Sequence, residues 1–255
     1  MATELFNNGQ HICMMFSDLV EEDAEAVQAN QFLIANNGEL ALLDPGGNMT
    51  YNRLFMAKQR YFPQARLKYV LASHADPDII ASLGKWLVQS DATLMISRIW
   101  HRFVPHFCPK QQTSGRIQPI PDQGMDIPLG NTTIKAVPAH FLHSEGNFQF
   151  YDATSKILFS GDMGASMSAD AASGQPVDNM QQHLETMRGF HQRYMSGNKV
   201  CRLWANMVKD LDMDWLIPQH GRPFKGRKHI NEFLHWVEQL ECGIDLMTQS
   251  NYQIP

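Results

Sequence analysis

The sequence has few cysteines and no long apolar or basic run. Its four cysteines, Cys13, Cys108, Cys201 and Cys242, are far apart and form no CxxC pair, which predicts reduced and packed thiols. No apolar segment approaches the roughly 20 residues that a membrane-spanning helix needs. Lys+Arg number 21 against Asp+Glu 26, for a formal net charge of -5, and no basic run occurs, so we expect no nucleic-acid partner.

The N-terminus also lacks the pattern of a secretory signal. MATELFNNGQ has neither a positive start nor an apolar stretch behind it. We therefore expect a cytoplasmic protein without a membrane partner. The 255 residues are 44% hydrophobic and 18% charged, which is ordinary for a globular protein and compatible with a single domain over residues 1–255.

The hydrophobic pattern predicts two groups of strands, each followed by helices. The strands of the first half are HICMMF, NQFLIANN, LALLD, KYVLASH and TLMISRIW, and its helices are MTYNRLFMAKQRYF and PDIIASLGKWLVQS. Residues 99–130 are predicted to form a long irregular segment. The second half has the strands TTIKAVPAH, NFQFYDATSKILFSG (as two strands around a turn) and DWLIPQHG, and the helices DNMQQHLETMRGFHQRYM, 200–211 and HINEFLHWVEQLECGIDLM. This pattern predicts a two-sheet core with helices outside.

Side chains that bind metals follow four of the predicted strands. They are His74, Asp76 and Asp78 in SHADPDII, His143 in PAHFLH, Asp162 at the end of ILFSGD and His220 at the end of DWLIPQHG. A single His or Asp at such a place is usually a turn residue or a helix cap. Repetition of the same residue types at four strand ends, where side chains project into a crevice, instead indicates a metal site.

The order of these motifs resembles the metallo-β-lactamase superfamily over nearly the whole chain. LALLDPG, SHADPD, PAHFLH, ILFSGD and IPQHG stand in the order typical of that superfamily. Within it, the chain is most similar to the diiron branch, which contains the core domain of flavodiiron proteins and their stand-alone oxygen-binding relatives, because Asp76 stands where zinc hydrolases have a histidine. The resemblance implies an α/β fold of the αβ/βα four-layer type, with two mixed β-sheets and helices on both outer faces.

The resemblance also implies two iron ions. His74, Asp76 and His143 would bind the first ion, Asp78 and His220 the second, and Asp162 would bridge both. Mixed histidine and carboxylate sites with open positions suit iron that binds a small diatomic molecule, whereas zinc hydrolase sites use more histidine. Zinc and manganese remain alternative metals.

Two further positions bear on this site. The family's usual histidine after the second carboxylate is replaced by Ile79, so a water or a histidine from elsewhere would have to complete the second site. The candidates for that histidine are His106, His140 and His183. Asp44, at the end of LALLD, resembles the aspartate that orients a ligating histidine in this superfamily, or is a plain turn residue.

Three functions remain open at this point. The first is a non-haem diiron protein that binds O2, or that reduces O2 or NO. The second is a metal-dependent hydrolase of a phosphodiester, thioester or lactone, and the third is a non-catalytic module. No phosphate-loop glycine pattern and no flavodoxin-like segment occur, so we expect no flavin in this chain and an external flavodoxin- or rubredoxin-type electron donor for any reductase activity. The resemblance to flavodiiron core domains implies a homodimer.

Overall fold

The computed structural model describes residues 1–21, 26–167 and 174–254. Its first sheet has seven strands in chain order: β1 (Ala2–Asn7), β2 (His11–Phe16), β3 (Gln31–Asn36), β4 (Glu39–Leu43), β5 (Arg66–Leu71), β6 (Thr93–Ser97) and β7 (Ile117–Ile120). The strands from β1 to β4 pair antiparallel, and those from β4 to β7 pair parallel. Helices connect the parallel strands, as that pairing requires: α1 (Tyr51–Tyr61), α2 (Pro77–Ile80), α3 (Leu83–Val88), α4 (Arg98–His101) and α5 (Lys110–Thr113).

The second sheet has six strands. They are β8 (Met125–Leu129), β9 (Thr132–Pro138), β10 (Phe148–Asp152), β11 (Ile157–Phe159), β12 (Trp215–Ile217) and β13 (Phe224–Lys225), in the order β13-β12-β11-β10-β9-β8. Only β11 and β12 pair parallel among these strands, and α6 (Met180–Tyr194) and α7 (Asn198–Val208) lie between them in the chain. The helix α8 (Arg227–Gln239) follows β13. No helix in the described ranges is both long and apolar enough to cross a membrane.

Three apolar clusters hold these layers together. The central cluster lies between the two sheets, where for example the rings of Phe32 and Phe159 are 4.7 Å apart. A second cluster packs the first sheet against its helices and includes Leu54 and Trp86, and a third packs the second sheet against α6, α7 and α8. Each sheet therefore buries both faces, which explains its nearly continuous apolar strands. The predicted αβ/βα four-layer sandwich is confirmed.

The structure differs from the sequence prediction in three places. The helix predicted after Asp76 is two short helices, α2 and α3, and Ser82 between them donates from Oγ to the carbonyl of Pro45 at 2.8 Å. The predicted irregular segment 99–130 contains the strands β7 and β8 and short helices. The edge strands β1 and β13 were not predicted, because β1 is mostly exposed and β13 has only two residues.

Candidate metal site

The six predicted ligands meet at one edge of the sandwich. His74 follows β5, Asp76 and Asp78 lie at the start of α2, His143 follows β9, Asp162 follows β11 and His220 follows β12. The carboxyl ends of β5, in the first sheet, and of the parallel pair β11 and β12, in the second, open into the same crevice. Strands from both sheets therefore contribute to one site.

A first group of ligand atoms surrounds Asp76. Its Oδ2 lies 3.1 Å from His143 Nε2 and 3.7 Å from His74 Nε2. His74 Nε2 is also 3.6 Å from Asp162 Oδ2. One ligand atom from each of these four residues lies within 4.8 Å of the others, so they can hold a metal ion together.

A second group surrounds His220. Its Nε2 lies 3.4 Å from Asp78 Oδ2 and 3.5 Å from Asp162 Oδ1. Asp162 therefore directs one carboxylate oxygen toward each group. This is the geometry expected of a carboxylate that bridges two ions.

The donor set fits metal ions better than a network of hydrogen bonds. Asp162 is buried, yet its Oδ1 makes no hydrogen bond within the described residues. Most of the distances above are too long for good hydrogen bonds. They match the roughly 3.0–3.6 Å that separates neighbouring ligands placed ~2.1 Å from a shared ion.

Outer contacts orient two of the histidines. His74 Nδ1 lies 2.9 Å from Ser73 Oγ, and His220 Nδ1 lies 2.7 Å from the carbonyl oxygen of Gln28, to which it can donate. Both rings therefore direct Nε2 into the site, as metal-ligating histidines commonly do. Asp44 contacts the backbone beside His74, because its Oδ1 accepts from Ser73 N at 2.8 Å. Burial raises the pKa of the Asp44 carboxyl to about 6.

The site is open to solvent on the side of the aspartates at α2. The side chains of Asp76 and Asp78 are 41% and 35% exposed, whereas His74, Asp162 and His220 are buried. The hydrogen bond between His143 and Asp76 lowers the pKa of the aspartate and raises the pKa of the histidine.

Aromatic side chains of α6 border both groups. The Tyr194 ring lies edge-on to His143 at 5.1 Å between centroids, and Phe190 lies 6.5 Å from His220. The two aromatic rings are one helical turn apart and stack at 4.6 Å. They form an apolar wall beside the site. The two residues of this wall are unremarkable in the sequence of an amphipathic helix and could not be predicted from it.

His191, on the same helix, also supports the site and was not predicted from the sequence. This fully buried histidine lies 2.9 Å from the Met187 carbonyl through Nδ1, and its Nε2 accepts from Gly164 N at 3.0 Å. Burial lowers the pKa of His191 to about 4, so the ring is neutral. Gly164 lies two residues after Asp162, so His191 fixes the turn that carries the bridging carboxylate.

The position of the missing histidine is apolar in the structure. Ile79 is fully buried in the cluster between the first sheet and its helices. Of the histidines considered as substitutes, His106 is exposed, and His140 directs Nε2 to the carbonyl oxygen of Asp122 at 2.7 Å. The contacts described for His183 are Thr186 at 3.4 Å and the Phe224 ring, neither of which belongs to the site.

A separate cluster of potential ligands lies at the opposite end of the sandwich. Its residues are His11, Cys13 and Asp152, which are buried and have ligand atoms within 4.8 Å of one another. Asn36 Oδ1 accepts from Asn131 N at 2.9 Å, so its Nδ2 points to His11 Nδ1 and donates to it at 3.1 Å. The proton of a neutral His11 then sits on Nε2 and points to Asp152, 2.6 Å away. A hydrogen-bond network, not a metal site, follows from this tautomer.

Known proteins share the family and the fold of this chain. Residues 27–221 match the model of the family described as ODP family beta lactamase. The chain belongs to this family. It is similar to the solved apo state of the chemotaxis sensor ODP from T. denticola, with 35% identity, a TM-score of 0.86 and 99% of both chains covered. A second structure, described as a peroxy diiron species of chemotaxis sensor ODP, has the same identity and coverage and a TM-score of 0.85.

More distant similarities include one solved structure and one protein matched by sequence. A flavo di-iron protein mutant from Thermotoga maritima is 19% identical, with a TM-score of 0.74, and the match covers 93% of this chain and 61% of that protein. An uncharacterized protein of Methanocaldococcus jannaschii is 24% identical over 211 residues, which are 80% of this chain. The match spans about half of that relative, 51% of its length. The resemblance to the diiron branch of the metallo-β-lactamase superfamily is confirmed.

Proposed function

We propose that this protein is a non-haem diiron protein that binds O2 at the His/Asp site. The observation that carries the proposal is Asp162, whose two carboxylate oxygens each face a separate His/Asp group. The similarity to the chemotaxis sensor ODP, one structure of which is described as a peroxy diiron species, supports iron and O2 for such a site. Reduction of O2 or NO is part of the same proposal, provided that an electron donor is present.

Each ligand has a role in this proposal. His74, Asp76 and His143 would hold the first iron, Asp78 and His220 would hold the second, and Asp162 would serve both. Bound iron would supply open coordination positions and redox chemistry suited to a small diatomic ligand. The protein supplies oriented imidazoles, a buried carboxylate that would offset the repulsion between the ions, and the stacked rings of Phe190 and Tyr194 beside the site.

A second iron would have fewer protein ligands than the first. Asp78, Asp162 and His220 are the side chains placed to reach it, and Ile79 offers no donor atom. We propose that a water or a small diatomic ligand occupies the position that the family's histidine would fill. An exchangeable position of this kind suits ligand binding, because the incoming molecule displaces a water and not a side chain.

Metal analysis and optical spectroscopy of anaerobically purified protein test the proposal. We expect two irons per chain and a new absorption band in the near-ultraviolet to visible range after exposure to O2. The same chain reconstituted with zinc is the matched control, and its spectrum should not respond to O2. Two zinc ions in the protein as purified, without any response of the iron-loaded form to O2, would contradict the proposal and favour the metal-dependent hydrolase.

The proposal also covers the domain organisation, the oligomeric state, the localisation and the electron donor. We propose that residues 1–255 act as a single domain, that the protein is a cytoplasmic homodimer, and that any reductase activity uses an external flavodoxin- or rubredoxin-type donor. Light scattering of the iron-loaded protein measures the oligomeric state, and a monomer at micromolar concentration would contradict the dimer. Stoichiometric flavin that co-purifies with the chain, or turnover with NADH alone, would contradict the need for a donor.

A further inference from the structure

Two of the cysteines lie side by side in the interior and are not among the residues of the metal site. Cys201 is on α7, Cys242 follows the end of α8, and their Sγ atoms are 3.8 Å apart. Both are buried and both are free thiols. The other cysteines have different surroundings, since Cys13 faces His11 and Cys108 packs in the apolar cluster of the first sheet.

We infer that Cys201 and Cys242 form a redox-active dithiol, which closes to an intramolecular disulfide by exchange with a small-molecule disulfide such as oxidised glutathione. The inference rests on the geometry of the two thiols and does not depend on the proposed metal chemistry. It adds a modification site to a protein whose other buried cysteines lack a thiol neighbour within the described residues.

The geometry allows the bond to form with a small movement. A disulfide has a sulfur–sulfur distance of about 2.05 Å, so the two sulfurs must approach by about 1.8 Å. Cys201 is held within α7, whereas Cys242 precedes a single turn of 3-10 helix, Gly243–Leu246. Rotation of both side chains can therefore supply the movement, together with a small shift of this turn, which is hydrogen-bonded to the start of α7 through Asn198 N and Asp245 Oδ2.

The two thiols differ in reactivity. The hydrogen bond between them lowers the pKa of the Cys242 thiol, whereas the same bond and burial raise the pKa of Cys201. Because the thiolate is the nucleophile, Cys242 attacks first and Cys201 second.

The exchange balances in two steps. The Cys242 thiolate attacks the glutathione disulfide, which forms a mixed disulfide and releases one glutathione thiolate. Cys201 then loses its proton to that thiolate and attacks the Cys242 sulfur, which releases the second glutathione. The two protein thiols are oxidised by two electrons in total, and one glutathione disulfide is reduced to two glutathione thiols.

Cys242 is buried, but nearby residues of the C-terminal segment are exposed to solvent. Its neighbour Glu241 is exposed, and Ile244 is 74% exposed. Three hydrogen bonds of the turn lie near the surface: Ile244 N donates to Ser196 O at 2.9 Å, and Asp245 Oδ2 accepts from Cys242 N at 3.1 Å and from Asn198 N at 2.6 Å. Local opening of such a surface turn requires much less free energy than global unfolding and would expose the Cys242 sulfur to the oxidant.

Redox titration of the full-length protein tests the inference. The protein is equilibrated in buffers of increasing ratio of oxidised to reduced glutathione, alkylated, digested with trypsin and examined by mass spectrometry. We expect a cross-link between the tryptic peptides 200–202 and 229–255, with a mass two hydrogens below the sum of the two, and its loss on treatment with dithiothreitol. Cys13 and Cys108 should remain alkylated as free thiols.

Cysteine-to-serine variants identify which thiol reacts with glutathione first. Cys201→Ser should trap a glutathione adduct on Cys242, Cys242→Ser should abolish oxidation, and the matched control Cys108→Ser should form the cross-link as the wild type does. Four free thiols in wild-type protein at excess oxidised glutathione would overturn the inference, as would a disulfide of any other pairing or between two chains. The wild-type titration decides the question even if a serine variant fails to fold. Metal content, measured separately, distinguishes this result from any failure of the diiron proposal.

Discussion

The carboxylate of Asp162 has one oxygen on each group of the metal site, with Oδ2 3.6 Å from His74 Nε2 and Oδ1 3.5 Å from His220 Nε2. Asp162→Ala should therefore remove both irons, because the variant loses a ligand of each ion and the negative charge between them. His74→Ala and His220→Ala each remove one imidazole and should weaken mainly one site. Metal content of the three variants after anaerobic loading measures this difference, and near-normal iron in Asp162→Ala would exclude the bridging role.

Gly221 directly follows His220 and has no room for a side chain. Its φ is +88°, and an added Cβ would lie 2.0 Å from Ser166 Oγ and 3.0 Å from the Ser166 carbonyl oxygen. Gly221→Ala should displace His220 and lower the affinity for the second ion at least tenfold, while the first ion is retained. Gly226→Ala is the matched control, since Gly226 has a similar φ of +83° but open space around it. Isothermal titration with Fe2+ under anaerobic conditions measures both; equal affinities in the two variants would contradict this assignment.

The ligands could be predicted from the sequence because each one follows an apolar strand. His143, Asp162 and His220 need only their motifs and the knowledge that strand ends meet at one crevice. His191 could not be predicted in this way, because it lies within α6 among other polar residues and its role depends on a turn 27 residues earlier in the chain. A histidine buried by tertiary packing leaves no local pattern.

The helix α6 supports the site through His191. In the folded protein the pKa of His191 is about 4, because burial disfavours the charged ring. In the unfolded chain it would be ~6.5. Below pH 6.5 the unfolded chain therefore takes up a proton that the folded protein does not. The free energy of unfolding should fall as the pH decreases from about 6.5 to 4, and at about 1.4 kcal/mol per pH unit the full loss is about 3 kcal/mol.

Urea unfolding of the metal-free protein at a series of pH values measures this slope. His191→Gln keeps one donor and one acceptor in the same place but does not titrate, so this variant should lose less stability than the wild type over the interval. His235→Gln, at an exposed position of α8, is the control and should retain the wild-type slope. Identical curves for His191→Gln and the wild type would show that His191 does not titrate as inferred.

The elements of the first half show why some structure was predictable and some was not. The strands β2 to β4 matched their apolar runs within one residue at each boundary and β5 within three, since strands buried on both faces need continuous hydrophobic sequence. The strands β7 and β8 lie in a segment rich in Pro, Gln and Gly and have alternating exposure. They form because each can hydrogen-bond to the edge of a neighbouring strand. Such pairing cannot be read from the local sequence pattern.

The two sheets are joined at the end remote from the metal site by a buried carboxylate. Asp152, on β10, accepts from His11 Nε2 at 2.6 Å and from Cys13 Sγ at 3.4 Å, both on β2, and also from Ser155 Oγ. Burial by itself would raise the pKa of Asp152, but the hydrogen bonds from His11 and Ser155 keep it below its usual value. The charged form is therefore the one that the fold stabilises.

Removal of this carboxylate should destabilise the whole protein without affecting the metals. Asp152→Ala would leave the donors of His11, Cys13 and Ser155 buried without their acceptor, and the loss of one partner of a buried pair costs about 3 kcal/mol or more. Metal content should stay at the wild-type value, because the ligands lie at the opposite ends of the strands. Asp126→Ala, which breaks the exposed 2.9 Å ion pair with Lys135, is the control and should change the free energy of unfolding little. Chemical denaturation gives the stabilities and metal analysis the content; a loss of iron in Asp152→Ala that equals the loss in Asp162→Ala would mean that the two ends of the sandwich are not independent.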